Sequence, residues 1–362
     1  LLDTCGPTTG LLHEYEVKLA DLVCRHMPAV DMLRMLGSGT EGVMAAIRVA
    51  RAHTGQKWII KMGGGYHGWS DQMVYGMRVP GTGRRDAVGI PRSSTSKIHE
   101  SFPHDLAALR RKLMLNRLSG GTAAVIVEPL GPESGTRPIH KTFNVELRKL
   151  CTEFGSLLIF DEVVTGFRLG MSGAQGYFGV DPDLTVLGKC ITGGYPMAGA
   201  LGGKKEIMMN LAGGIGGSRK GAMVGGTLTA NPLSCAAGYY SILEMERTQA
   251  AQHAGRAGDR LKDGLAEIIE RLGLPYVVYN QGSIVHLQTS GVMLLNANTF
   301  LRKLRTLKEA MPRKHMMEEF GAAYSAHGVI TLAGSRIYTS LADTDEIIDD
   351  ALNRFEDVMK LV

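Results

Sequence analysis

Two short apolar runs that each end on ionisable groups constrain this chain more than any other feature. Residues 157–160 (LLIF) run into Asp161 and Glu162, and residues 184–187 (LTVL) run into Gly188 and Lys189. Runs of this length, bounded by glycine-rich loops, have the pattern of buried strands. A lysine placed straight after such a run, with Gly193 and Gly194 behind it, is out of character for a solvated surface lysine. If Asp161 and Lys189 end neighbouring strands, a carboxylate and an amine converge on one cleft. Taken singly, Asp161 and Glu162 are better read as a polar strand end and Lys189 as a salt-bridged strand-end lysine; their order together reverses that.

The rest of the chain extends this alternation. Residues 11–27 repeat apolar positions at helical spacing and stop before Pro28. A short apolar run, 32–36, leads through Gly37, Ser38, Gly39, Thr40 and Glu41 into a helical stretch closed by Gly55. Residues 57–62 (KWIIKM) read as a strand emptying into Gly63-Gly64-Gly65-Tyr66-His67-Gly68. Residues 80–104 are rich in turn formers and read as a long loop near the cleft or a subunit contact. A helix over 105–117 precedes a buried strand, 122–127, that ends on Glu128; Glu133 follows five residues later, and a helix spans 143–154. Residues 233–272 read as one long helical link. Beyond Pro275, strands at 276–279 and 283–288 and helices at 299–320 and 345–361 suggest a smaller α/β domain. The expected fold is an open, mostly parallel α/β sheet with helices on both faces, which binds at the carboxyl ends of its strands. It is divided into a large domain, 1–245, and a small one, 246–362.

Composition narrows the function classes. With 44% apolar and 21% charged residues the chain is not of the disordered class. A net charge of +5, scattered along the sequence, leaves no nucleic-acid footprint but allows a mildly cationic cleft. The five cysteines show no paired spacing, so a reducing compartment, the cytoplasm, is expected, with no metal site. No apolar run approaches membrane length. No GxGxxG follows a strand, which leaves a dinucleotide site unsupported.

Several loops carry chemistry. In Ser38-Gly39-Thr40 the glycine allows close backbone approach, the hydroxyls donate, and the following helix presents free N–H groups, as a phosphate site requires. An ordinary Ser/Thr cap would look the same. Tyr66 offers a flat aromatic face for a conjugated ring or, alternatively, packs on the core. His67 accompanies it, although a lone histidine is more often a satisfied structural residue. Glu128 can be a general acid or base, a salt-bridge partner or a cap. Pyridoxal phosphate chemistry needs the Asp161–Lys189 pair: the lysine forms a Schiff base with the aldehyde, and the aspartate keeps the pyridine nitrogen protonated.

The order of Asp161-Glu162-Val163, Thr165-Gly166-Phe167-Arg168, Pro182-Asp183-Leu184 and Gly188-Lys189 resembles the class III pyridoxal-phosphate aminotransferases. The wording around Asp161 is most similar to the branch containing glutamate-1-semialdehyde aminomutase. The resemblance implies fold type I and a Schiff base at Lys189. It also implies a phosphate loop at Ser38, Gly39 and Thr40, a ring sandwiched by Tyr66 and Val163, and His67 and Glu128 at the cofactor cleft. Residues 226–233 (GTLTANPL) resemble the segment whose threonine, here Thr227, reaches the phosphate of the neighbouring subunit; Ala230 stands where a glycine is usual. Asn231-Pro232 would equally be a helix start. That implies a homodimer.

Arg336 occupies the place where several amino-acid aminotransferases hold an α-carboxylate, with Glu133 as its resting partner. A surface arginine at a strand start is the alternative. Val164 replaces a glutamine common in the class, as in the aminomutase branch. Arg168 belongs to the family wording without a derivable role. Members of the family carry several dozen residues before the point where this chain opens, on Leu1 rather than methionine, so it reads as truncated at its N-terminus.

The expected activity is amino-group transfer between an amino acid or amine and a keto or aldehyde acceptor. An intramolecular aminomutase, or an isomerase or racemase on the same cofactor, is the alternative. A binding protein that keeps the fold without the chemistry would not need Lys189, Asp161 and the phosphate loop together.

Overall fold

A computed structural model of the chain describes residues 10–77, 80–81, 83–212, 221–288, 316–332 and 334–361. It divides into two compact units: residues 1–135 with 139–246, and residues 136–138 with 247–362.

The first unit is built on seven strands: β1 (Met32–Leu36), β2 (Trp58–Met62), β3 (Ile98–Ser101), β4 (Thr122–Val127), β5 (Leu157–Asp161), β6 (Leu184–Gly188) and β7 (Gly199–Gly203). Their spatial order is β1-β7-β6-β5-β4-β2-β3. Only β7 runs against its neighbours, β1 and β6; the other pairings are parallel. The carboxyl ends of six strands and the amino end of β7 therefore share one edge. The expectation of an open, mostly parallel sheet is met.

Helices cover both faces because the central strands are apolar on both sides. On one face α2 (Gly39–Thr54) packs Val43, Ala46, Ile47 and Ala50 against Ile59, Ile126, Ile159 and Val186. On the other, α3 (Leu106–Arg117) and α4 (Phe143–Phe154) set Leu109, Leu113, Leu147 and Cys151 against Ile60, Val125, Leu158 and Phe160. Gly55, at φ 67°, ends α2 in the left-handed conformation that glycine tolerates. A third cluster joins α1 (Glu14–His26) to Leu187 and Ile191.

Three elements differ from the sequence expectation. The stretch 80–104 is not all loop: Ile98–Ser101 adds β3 in parallel to β2. Its residues, IHES, lack strand periodicity, and pairing rather than propensity makes them a strand. Strand β7, GALGG, is missed for the same reason. Its glycines serve close approach: a Cβ on Gly202 would press on Val30, and one on Gly199 would enter the Ser38 backbone. The link 233–272 is two helices, α6 (Pro232–Thr248) and α7 (Ala250–Leu272), broken at Gln249, whose φ is 51°.

In the second unit an antiparallel sheet, β10 (Arg336–Tyr338), β9 (Ile284–Gln288) and β8 (Val277–Gln281), packs with α7 and the C-terminal helix (Asp345–Met359). Leu261, Leu265 and Ile268 of α7 meet Val285, Leu287, Tyr324 and Phe355 in its core. Of the helix expected over 299–320, residues 299–315 lie outside the described residues, and residues 316–326 are helical. Among the described residues no helix is long and apolar enough to cross a membrane.

Candidate active site

The carboxyl ends of β1, β2, β4, β5 and β6 each lead to a polar group at the shared edge of the first unit. After β1, Ser38 caps α2: its Oγ accepts from the Glu41 N–H at 3.3 Å, while Glu41 Oε2 accepts from the Gly37 N–H at 2.8 Å. This reciprocal cap satisfies two groups at the helix start. The capping reading holds, and it leaves the phosphate reading open, because the cap does not use the N–H groups of Gly39 and Thr40. Glycines keep the turn open. A Cβ on Gly68 would collide with Thr40, and one on Gly39 would meet Val163 Cγ2 at 2.7 Å. A cleft of about 720 Å³ opens beside Ser38 and Thr40, lined also by Arg48, Arg51 and Trp69.

After β2, the glycine-rich loop brings Tyr66 and His67 to the edge. The Tyr66 side chain is 54% exposed, whereas His67 is fully buried. His67 Nδ1–H donates to Asp161 Oδ2 at 2.8 Å. Burial holds the imidazole below its usual pKa despite that acid, so a neutral ring donating from Nδ1 is favoured. His67, a weaker candidate by sequence, is therefore the direct partner of Asp161.

Asp161 closes β5 and is 6% exposed; its Oδ1 accepts from the Val163 N–H at 3.2 Å. Its register partner on β6 is Val186, and Lys189 follows three residues later. Lys189 begins a short 3-10 turn at φ 48°, a left-handed conformation that lifts it off the strand line. It is exposed. Val163 packs on the end of β6: a Cβ on Gly188 would meet its Cγ1 at 2.9 Å.

Glu162 shares none of this. Its buried carboxylate accepts from the Ala174 N–H at 2.6 Å, the Gln175 N–H at 3.2 Å, the Gln175 side chain at 3.2 Å and Thr165 Oγ1 at 3.0 Å. It ties the TGFR loop to the short helix α5 (Gly173–Phe178). Glu128, past β4, also binds backbone: Oε1 accepts from the N–H groups of Tyr66 at 2.8 Å and Glu133 at 3.0 Å, and Oε2 from that of Ser134 at 2.6 Å. Burial, with Asp161 adding to it, pushes Glu128 up to about 7.

Thr227 lies exposed in the turn before α6, near the first turn of α2: a Cβ on Gly226 would lie 3.8 Å from Glu41 Oε2. Asn231 caps α6, its Oδ1 accepting from the Ser234 N–H at 3.0 Å, so the helix-start reading of this segment holds. Ala230 is at φ 56°. Glu133 is exposed at φ 54°. Arg336 opens β10 in the second unit, opposite His286 in register. Lys61, which the sequence reading passed over inside β2, is 0% exposed and lies under the Tyr66 loop. The signal for it was a lysine at an inward position of a strand. A larger groove, about 780 Å³, lies at the opposite edge of the sheet, where Asp183 binds Arg148 and Lys204.

Pyridoxal phosphate makes three demands on a protein: an amine for its aldehyde, an acid for its ring nitrogen and N–H donors for its phosphate. The residues present fit. Lys189, Asp161 and the start of α2 meet these demands from the ends of β6, β5 and β1, all on one edge.

Comparison with known proteins follows the same line. The family model for class III aminotransferases matches residues 5–359. Glutamate-1-semialdehyde 2,1-aminomutase 1 of Macrococcus caseolyticus is 35% identical over 364 residues, covering 99% of this chain and 80% of that protein. The enzyme of the same name from Lachnoclostridium phytofermentans is 41% identical over 283 residues, 77% of this chain but only 64% of the relative's own length. Among solved structures, an omega-transaminase from Sphaerobacter thermophilus superposes with a TM-score of 0.86 at 27% identity, covering 98% of this chain and 80% of that one.

Proposed function

The chain belongs to the class III aminotransferases, and on that premise we propose that it moves an amino group between an amino acid or amine and a keto or aldehyde acceptor, with pyridoxal 5'-phosphate carried on Lys189. The observation that carries the reading is the pairing of β5 with β6, which sets the acid of Asp161 beside the strand that leads into Lys189. When bound, the cofactor supplies an electron sink for the charge that develops at the substrate carbon.

The chain's own residues do the rest. Asp161 holds negative charge for the ring nitrogen, kept in place by the His67 Nδ1–H and the Val163 N–H. Ser38, Gly39 and Thr40 bind the phosphate through the free N–H groups of the helix start. Tyr66 and Val163 flank the ring and exclude water. Lys189 Nζ would hold the cofactor's aldehyde and, when not holding it, would serve as the general base and acid that moves the proton of the substrate carbon. Glu128 supports the loop that carries Tyr66. On the family resemblance, Arg336 is the candidate for gripping a substrate carboxylate. The working assembly is a homodimer in the cytoplasm, with exposed Thr227 offered to the neighbouring site.

A second reading, an intramolecular aminomutase, is favoured by the names of the relatives and by Val164 in place of the glutamine common in the class. An isomerase or racemase shares the same residues.

Two measurements decide. Protein incubated with the cofactor should gain visible absorbance that survives gel filtration, and Lys189→Ala should lose it; an unaltered spectrum in the variant would remove Lys189 from its role. A nitrogen-15 amino group that appears in a second molecule supports transfer, and retention on the original skeleton supports the aminomutase.

A further inference from the structure

Lys61 is the largest charged side chain with no solvent exposure among the described residues. It stands at an inward position of β2, beside Glu100 of β3 and Ile126 of β4. An ammonium is buried this way only where hydrogen bonds and an opposite charge replace water. Here Nζ donates to the carbonyls of Gly65 at 2.9 Å and Met73 at 3.0 Å. Glu100, its neighbour across the strand pair, is itself tied to the N–H groups of Gly81 and Gly83.

The Gly65 carbonyl and the Tyr66 N–H belong to one peptide group. Glu128 Oε1 accepts from that N–H at 2.8 Å. A single peptide plane is therefore held at its oxygen by a cation from β2 and at its nitrogen by an acid from β4. The next residue, His67, is held by Asp161 of β5. Tyr66 is 54% exposed, so packing around the ring does not set its direction, and the backbone must. Gly65 is suited to the place: an added Cβ would lie 3.1 Å from His67 Nε2 and 3.2 Å from the Met62 carbonyl.

We propose that Lys61 is a positioning residue, which with Glu128 clamps the Gly65–Tyr66 peptide and so fixes the direction in which Tyr66 faces the cofactor. The proposal rests on the reading of Tyr66 as a ring-flanking residue. It adds a residue that touches neither cofactor nor substrate. Burial draws Lys61 down to about 8, with Glu100, Glu128, Asp86 and Asp161 holding it up, and His67 faces it as a neutral ring.

Amide hydrogen exchange on the full chain without cofactor tests the clamp by itself. In Lys61→Met, the peptide covering residues 63–68 should exchange about tenfold faster than in wild type while the β4 and β5 peptides keep their rates. Glu128→Gln should release the same peptide, and Lys61→Gln, which keeps two N–H donors, should fall between Lys61→Met and wild type. Equal protection of 63–68 in all four proteins overturns the clamp. With pyridoxal phosphate added, Lys61→Met should bind the cofactor about tenfold more weakly and lose part of its circular dichroism in the visible band, and pairing it with Tyr66→Ala should add little. Fully additive losses would mean that Lys61 does not act through Tyr66. Should Lys61→Met not fold, Lys61→Gln and Glu128→Gln carry the same comparisons. Wild type that takes up no cofactor at Lys189 defeats the parent reading, yet the exchange rates still decide the clamp.

Discussion

At the end of β4, Glu128 spends both oxygens on backbone N–H groups of Tyr66, Glu133 and Ser134. At the end of β5, one strand away, Asp161 gives one oxygen to the His67 side chain and the other to the nearby Val163 N–H. Both acids face the same edge, and both are strand-end carboxylates in sequence. Their surroundings separate them. Glu128 organises two loops and is pushed up to about 7 by burial, so its charge is marginal at neutral pH. Asp161 instead has an N–H donor on each oxygen, one from the His67 ring and one from the Val163 backbone. The following acid, Glu162, repeats the Glu128 pattern with Thr165, Ala174 and Gln175. Where an acid sends its oxygens, rather than its place at a strand end, distinguishes a loop anchor from a residue free to serve chemistry.

The contrast can be broken most directly by neutralising each acid. Asp161→Asn should lower turnover on the order of 10²–10³-fold, the scale for removing one aimed electrostatic partner. Glu128→Gln should lower it about tenfold or less, with the effect mainly on cofactor affinity. Equal losses in steady-state kinetics would erase the distinction.

A smaller effect concerns pH. The Glu128 pKa is raised in the fold from 4.5 to about 7, so the folded state binds its proton more tightly than the unfolded chain does. That contribution to stability is fully present below about 4.5 and is lost as pH rises through about 7. Denaturant titrations across this window should show wild type losing on the order of 1–3 kcal/mol from this group, and Glu128→Gln should flatten that slope. An unchanged slope in the variant would mean that Glu128 is not the titrating group.

The smallest effect calibrates the strain near these acids. After β4, Glu133 and Ser134 lie at φ 54° and 56° with Glu128 gripping their N–H groups; Ala230, before α6, lies at φ 56°, and among the described residues no acid holds its N–H. Ala230→Gly should raise stability by about 0.5–1 kcal/mol, since glycine adopts this conformation without the Cβ penalty. A melting temperature that falls instead would show that lost chain entropy outweighs the strain.

Much of the candidate site could be proposed from sequence because its residues follow apolar runs. Asp161, Lys189 and Glu128 each interrupt a buried pattern at a strand end, and Ser38-Gly39-Thr40 sits between a strand and a helix. The acid–histidine bond was not legible, since 94 residues separate His67 from Asp161. Nor was β3, whose IHES becomes a strand only by pairing with β2. Lys61 was hidden for a related reason: in KWIIKM it reads as a strand-end polar residue, and only its 0% exposure shows a buried cation.

By itself, the order of residues determined the alternation of strands and helices and the placing of an acid and an amine at strand ends, because hydrophobic periodicity and glycine positions act locally along the chain. The tertiary structure decided which strands became neighbours, and hence which donor each acid received. Hydrogen bonds between residues far apart in sequence depend on distances that exist only after the sheet has assembled, and of three strand-end carboxylates of similar sequence context two came to anchor loops and one to hold His67.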